Sequence, residues 1–153
     1  MTIDTMANVI LNNCDRVSNK KLQKLSYYVY SWYLTIYGKK IADARYEAWE
    51  HGPVCRRLYN KYKKYGWNVI PKYEGFVLAS DEEIQFIQSV ISIYGNYTAD
   101  ELERMTHLES PWLNARAELE KFGLSDIFIS DSDIMECYST KTDIKNMLLE
   151  QIA

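Results

Sequence analysis

The sequence predicts a mainly α fold: a compact bundle of six to seven helices with one small two-stranded β-hairpin or sheet. Three observations point there. Apolar residues recur at helical spacing along most of the chain. Ser80 to Glu83 and Thr98 to Glu101 each carry the reciprocal capping pattern that opens a helix. Only two short stretches, residues 45–50 and 75–78, read as strands, and only the first alternates.

Taken in order, a first helix is expected over residues 3–13, with Ile3, Met6, Val9 and Ile10 on one face. Ser18 caps a second over residues 19–37, which Gly38 closes. Its inner stripe is Leu22, Leu25, Val29, Trp32 and Ile36; beside it run Tyr27, Tyr30, Leu34 and Tyr37. Two apolar faces make this the central helix. Residues 45–50 alternate and form the first short strand. Pro53 suits the first turn of a third helix that runs to Tyr65 and stops at Gly66, because a first-turn amide hydrogen has no partner to lose. Residues 75–78 form the second strand, pairing with the first. The two capping boxes open the next helices, and Pro111 starts another through Leu119. Residues 126–130 are expected to be extended, and residues 131–138 to make one or two helical turns. Thr140 caps a last helix with Ile144, Met147, Leu148 and Ile152 inward.

With 153 residues, 47% hydrophobic and 25% charged, the chain has the size and balance of one globular domain spanning residues 1–153. It has no repeat and no low-complexity tract. Three distant cysteines, Cys14, Cys55 and Cys137, make no disulfide framework and fit a reducing cytoplasm. Residues 1–13 have no basic start and no long apolar run, so no signal peptide is expected. No stretch approaches the roughly 20 apolar residues of a membrane span. The unusual feature is 13 tyrosines and four tryptophans, which serve cores and binding surfaces alike.

Catalytic signatures are sparse. The six glycines never cluster, so no phosphate-cradling loop forms. The two histidines, His51 and His107, lack a metal-ligand spacing, and no metal or cofactor is expected. His51 and Cys55 are four apart and could pair as base and nucleophile, but a buried cysteine on a helix start is the simpler reading. The carboxylates Asp81, Glu82, Glu83, Asp100 and Glu101 sit at expected helix starts, where capping and the helix dipole explain them. The chain therefore reads as a binding protein rather than an enzyme.

Arg56, Arg57, Lys61 and Lys64 share the third expected helix with Tyr59, Tyr62 and Tyr65, with no acid among them. On an acidic chain, this local positive, aromatic face is the candidate partner surface: Arg56, Arg57, Tyr59, Lys61 and Lys64. A protein partner fits it better than nucleic acid, since the net charge is -3. The sequence leaves homodimerisation open.

Three stretches together resemble a known family. The first is Lys21-Leu22-Gln23-Lys24-Leu25, running into Tyr27-Tyr28. The second is Ala48-Trp49-Glu50-His51-Gly52-Pro53-Val54, with Leu58-Tyr59 and Lys63-Lys64-Tyr65-Gly66 after it. The third is Thr106-His107, then Glu109-Ser110-Pro111-Trp112 and Ala115-Arg116. In order and spacing they resemble the Panacea domain of SocA-like and phage-associated GepA-like antitoxins, over roughly residues 18–116. Ser26 and Cys55-Arg56 depart from the pattern. The resemblance implies a compact helical antitoxin of a toxin–antitoxin pair. Members neutralise unrelated toxins by direct contact, alarmone-synthetase-like enzymes among them, and one branch delivers its toxin to a protease. The motif residues Lys21, Leu22, Lys24, Leu25, Trp49, His51, Gly52, Pro53, Val54, Tyr59, His107, Pro111 and Trp112 are expected to build the frame. Trp49 and Trp112 would lock the sheet to the helices as core, and His107 would be a satisfied turn histidine. Residues 123–153 lie outside the motifs and offer a second seat for partner choice.

Overall fold

A computed structural model describes residues 1–122 and 127–153. Among the described residues there are eight α-helices and one two-stranded antiparallel sheet, so the chain is mainly α. Helix α1 is Ile3–Asn13 and α2 is Asn19–Tyr37. The hairpin follows, with β1 at Glu47–Trp49 and β2 at Gly52–Val54. Helix α3, Arg56–Tyr62, tightens into a 3₁₀ turn at Lys63–Tyr65. The rest are α4 (Asp81–Tyr94), α5 (Ala99–His107), α6 (Ser110–Phe122), α7 (Asp131–Ser139) and α8 (Thr142–Ile152).

Helix α2 is central, as its two apolar stripes predict. It packs on α1, α4, α5 and α7, and against β2 and α3. Its ends follow the sequence: the Ser18 hydroxyl accepts from Lys21 N–H, and Gly38 closes it in the left-handed conformation at φ 68°. Tyr27, Tyr28, Tyr30 and Trp32 are buried, but Tyr37 at the stripe's end is exposed and leans on Tyr33 with the rings tilted at 45°. Their polar tips are used: Trp32 Nε1 donates to the Tyr94 hydroxyl at 2.9 Å, and the Tyr46 hydroxyl donates to Ser26 Oγ at 3.1 Å. The small Ser26 therefore makes room for, and bonds, a tyrosine from the loop before β1. Both capping boxes are complete.

Four expectations need correcting. The second strand is β2, not residues 75–78. A tight turn at Glu50 and His51 brings Trp49 opposite Gly52, Ala48 opposite Pro53 and Glu47 opposite Val54. Gly52 enters the strand at φ 106°, a conformation that side chains disfavour. Pro53 is tolerated because a two-stranded ribbon has only edges. Consequently α3 starts at Arg56, after Cys55, and not at Pro53; the Gly52-Pro53 pair is a hairpin device rather than a helix start. Residues 75–78 lie in an irregular loop, and Phe76 is 84% exposed. Thirdly, residues 131–138 exceed one or two turns, since α7 is a full helix. Fourthly, Thr140 caps the end of α7, its hydroxyl donating to Cys137 O at 2.6 Å, rather than the start of α8. On α8, Leu148 is buried as expected, while Met147 is 47% exposed.

Of the expected connector, residues 127–130 are extended and Asp126 lies outside the described residues. Phe128 bridges Glu47; Ala48 N–H donates to Ile127 O, and Ile129 N–H to Tyr46 O. The hairpin is thus held on its outer edge as well as on α2.

Candidate partner-binding groove

The N-terminal half of α2, the hairpin and α3 enclose an open groove of about 440 Å³. Helix α2 lines it with Asn19, Lys20, Gln23 and Lys24. The hairpin contributes Trp49, His51 and Val54. Tyr59 and Lys63 form the opposite wall, which runs on to Trp67. The lining is mostly apolar, and among the described residues no Asp or Glu belongs to it. Trp67 is 87% exposed, and Phe76 and Leu78 add further exposed apolar surface on the loop beyond it.

The polar atoms on the α2 side are unevenly satisfied. Gln23 Oε1 accepts from the Cys55 backbone N–H at 2.9 Å, which fixes its amide and leaves Nε2 as a buried donor without a partner. One turn earlier, Asn19 Oδ1 is buried and equally unpartnered. Lys24 Nζ donates to Pro53 O at 3.1 Å, and burial, reinforced by the charge of Lys20, pushes the ammonium down to about 7 against the pull of Glu103. Both residues line the groove, and buried polar atoms are nearly always paired, so these two orphans leave the α2 wall incomplete. Lys20 differs from Lys24: its Nζ contacts Asp100 at 2.7 Å and Glu103 at 3.0 Å.

The third sequence motif fastens the hairpin from behind. Trp112 Nε1 donates to Trp49 O at 2.8 Å and Arg116 Nη1 to Ala48 O at 3.0 Å. His107 ends α5 and stacks on Trp112 at 4.0 Å. The ring bonds the Glu50 backbone in the hairpin turn, while its Nε2 is buried without a partner, and burial keeps it below its ordinary pKa. Trp112 is partly buried against the core. Trp49 is half-buried and lines the groove instead of joining the core, because a β-hairpin rim has one open face. Among the other motif residues, Leu22, Leu25, Val54 and Pro111 are buried, and Lys21 Nζ ties α2 to Gly95 O at 2.7 Å. Gly52 has no room for a side chain: a Cβ there would meet Lys24 Cε at 2.6 Å.

The basic helix divides. Arg56 makes a fork to Glu47, at 2.9 and 2.8 Å, and its guanidinium lies 5.3 Å over the Trp49 ring. Tyr59 meets the same ring edge-on at 4.9 Å. Arg57 turns away to α1 and forks onto Asp4, at 3.2 and 2.6 Å, with Lys61 at 4.0 Å from the same carboxylate. That guanidinium holds the Asp4 carboxyl below the usual range. Lys64 stands over the Tyr65 ring at 5.4 Å. Of the expected partner-surface residues, Tyr59 lines the groove and Arg56 lies over its Trp49, whereas Asn19, Gln23 and Trp67 line it without having been expected there. Two amides four apart on α2 are all that the sequence offers there, and nothing in it says that they lack partners.

His51 Nδ1 faces Glu103 Oε1 at 3.0 Å, and burial raises the Cys55 thiol, the opposite of an activated nucleophile. Among the described residues no three His, Cys, Asp or Glu side chains gather into a metal-holding group, and no helix is long and apolar enough to cross a membrane.

Comparison with known proteins adds one match. The family model of the antitoxin SocA-like, Panacea domain, covers residues 22–113, which include the groove from Gln23 to Trp67. No curated protein and no solved structure matches the chain. The matched span is more than half of the chain, and the chain belongs to the SocA-like antitoxin family of the Panacea domain.

Proposed function

We propose that this protein is the antitoxin of a toxin–antitoxin pair and neutralises a protein toxin by direct contact, with the groove as the seat. The observation that supports the seat most is the pairing of an exposed Trp67 with buried, unpartnered atoms on Asn19 and Gln23. Central, pocket-bound aromatics carry most of the energy at protein interfaces. Tyr59 belongs to the groove wall and Arg56 lies over the Trp49 ring that lines it, while Arg57, Lys61 and Lys64 add positive charge along the same basic segment and steer an acidic partner. The role is binding, not catalysis.

The test is co-expression with the product of the neighbouring gene, reading growth and co-purification. Rescue with a stable complex is expected. Trp67→Ala should leave folding intact and weaken the complex by roughly 30-fold, the scale of a hot-spot tryptophan. Unchanged affinity would remove the groove as the seat. Absence of both rescue and complex would remove the neutralising role. Rescue with the toxin gone from the lysate would replace it by delivery to a protease.

A further inference from the structure

We infer that the groove receives a carboxylate of the toxin, an acidic side chain or C-terminus on an apolar segment, seated on the Gln23 amide and the Lys24 ammonium. This rests on the groove being the toxin's seat.

The chemistry of the α2 side is that of an anion site. The orientation of Gln23 is set by the Cys55 N–H, so the orphan atom is a donor and not an acceptor. Lys24 Nζ has three hydrogens and, among the described residues, one acceptor. It has no salt bridge, whereas Lys20 has two on the same helix face. Donors on consecutive residues of one groove wall, one of them charged, call for an acceptor-only group with two oxygens, which is a carboxylate. Asn19 is compatible: its Oδ1 has no partner among the described residues, so half a rotation presents its NH₂ in place of Oδ1. Lys63 adds charge at the rim, and among the described residues no carboxylate lines the groove, Glu103, which pulls on Lys24, being paired with Lys20. Trp49, Tyr59 and Trp67 would exclude water around the seated group, and a low local dielectric strengthens such a pair. The same walls explain why the acid should sit on an apolar segment.

The full chain is titrated with a shape-matched pair of probes, indole-3-acetate and indole-3-acetamide, by NMR of the side-chain amides and indole N–H groups. The acetate is expected to bind roughly tenfold more tightly, as charge-assisted hydrogen bonds do. Its shifts should centre on the Gln23 amide and the Trp67 indole. Lys24→Met should erase the preference. Gln23→Glu keeps the acceptor for Cys55 N–H and the size of the side chain, so it serves if the lysine variant does not fold; it should reverse the preference. Equal binding of the two probes, a preference for the amide, no shift in the groove, or a Gln23→Glu chain that still favours the acetate would each overturn the inference. A toxin complex that Trp67→Ala breaks, without acid preference, would sink this inference alone. Acid preference without any toxin complex would sink the neutralising role and leave an anion groove.

Discussion

Two buried polar clusters lie against α2, and they are built in opposite ways. At one, Glu109 is buried and fully engaged: it accepts from the Tyr28 hydroxyl at 3.0 Å, the Tyr138 hydroxyl at 2.7 Å and Lys141 Nζ at 3.3 Å. Burial raises its carboxyl above the ordinary value, and these three donors oppose the rise. Tyr28 is in turn stacked on Tyr94 at 4.1 Å, and Tyr138 packs edge-on to it. At the other, the groove, Asn19 and Gln23 keep orphan atoms and Lys24 keeps a single acceptor. A closed network of this kind ties α2 to α6 and α7 and specifies one packing. An open one costs stability in the free protein and is retained where something else completes it.

The comparison breaks most visibly at Glu109. Glu109→Ala strands two buried hydroxyls and a lysine, and removing one partner of a buried polar network is expected to cost about 3 kcal/mol. For a chain of this length that lowers Tm by roughly 9 °C. Denaturant melts of the variant and the parent check it. A loss below about 1 kcal/mol would mean that the knot is no more structural than the groove.

The two clusters were not equally legible in the sequence. The frame was: the ends of α1 and α2, both capping boxes and the buried tyrosine stripe follow from spacing and caps, which are local signals. The hairpin was not. Residues 75–78 carry the apolar run of a strand, whereas the real partner, Gly52-Pro53-Val54, has the composition of a breaker. It pairs because a positive-φ glycine suits a three-residue ribbon, because residues 127–129 bond the far edge of β1, and because Lys24, Trp112 and Arg116 hold the hairpin's carbonyls from other helices. Those are contacts between residues far apart in sequence. The basic helix was visible as a charge run, yet which of its cations face the groove depends on Asp4 and Glu47, 53 and nine residues away from their arginines. Orphan polar atoms have no signature in sequence at all, since they are defined by what fails to arrive.

A sharper contrast comes from pH. Lys24 titrates at about 7 when folded and near 10.5 when free, so between these values the unfolded chain holds a proton that the native chain has released. Stability therefore rises as pH climbs from about 7, by as much as 1.4 kcal/mol per unit for a single group. Near pH 9 the buried Cys14 and Cys55 thiols, raised by burial, begin to act in the opposite sense. The window from 7 to 9 should add about 2 kcal/mol in the parent. Lys24→Met should flatten it. Denaturant melts at the two pH values decide the matter, and a parent that is flat there would show that Lys24 is satisfied after all, closing the gap between the two clusters.

The smallest effect on stability is expected at Gly52, where it separates the frame of the groove from its contents. Alanine there must adopt φ 106° and place a methyl 2.6 Å from Lys24 Cε and 3.1 Å from Thr106 Oγ1. Strain of this kind costs about 1.5 kcal/mol, less than Glu109→Ala, because a two-stranded ribbon can lift where a packed helix bundle cannot. Lifting it has a second consequence. The Pro53 carbonyl moves off Lys24 Nζ, and Trp49 and Val54 move with the strands that carry them, so the groove widens at its base. Gly52→Ala should therefore lose toxin binding while remaining folded, with Glu109→Ala showing the reverse balance at a temperature where it is still native. Measuring both affinity and melting for the pair checks this. Equal losses of binding per unit of stability in the two variants would mean that α2 supports one cooperative core, with no separable groove.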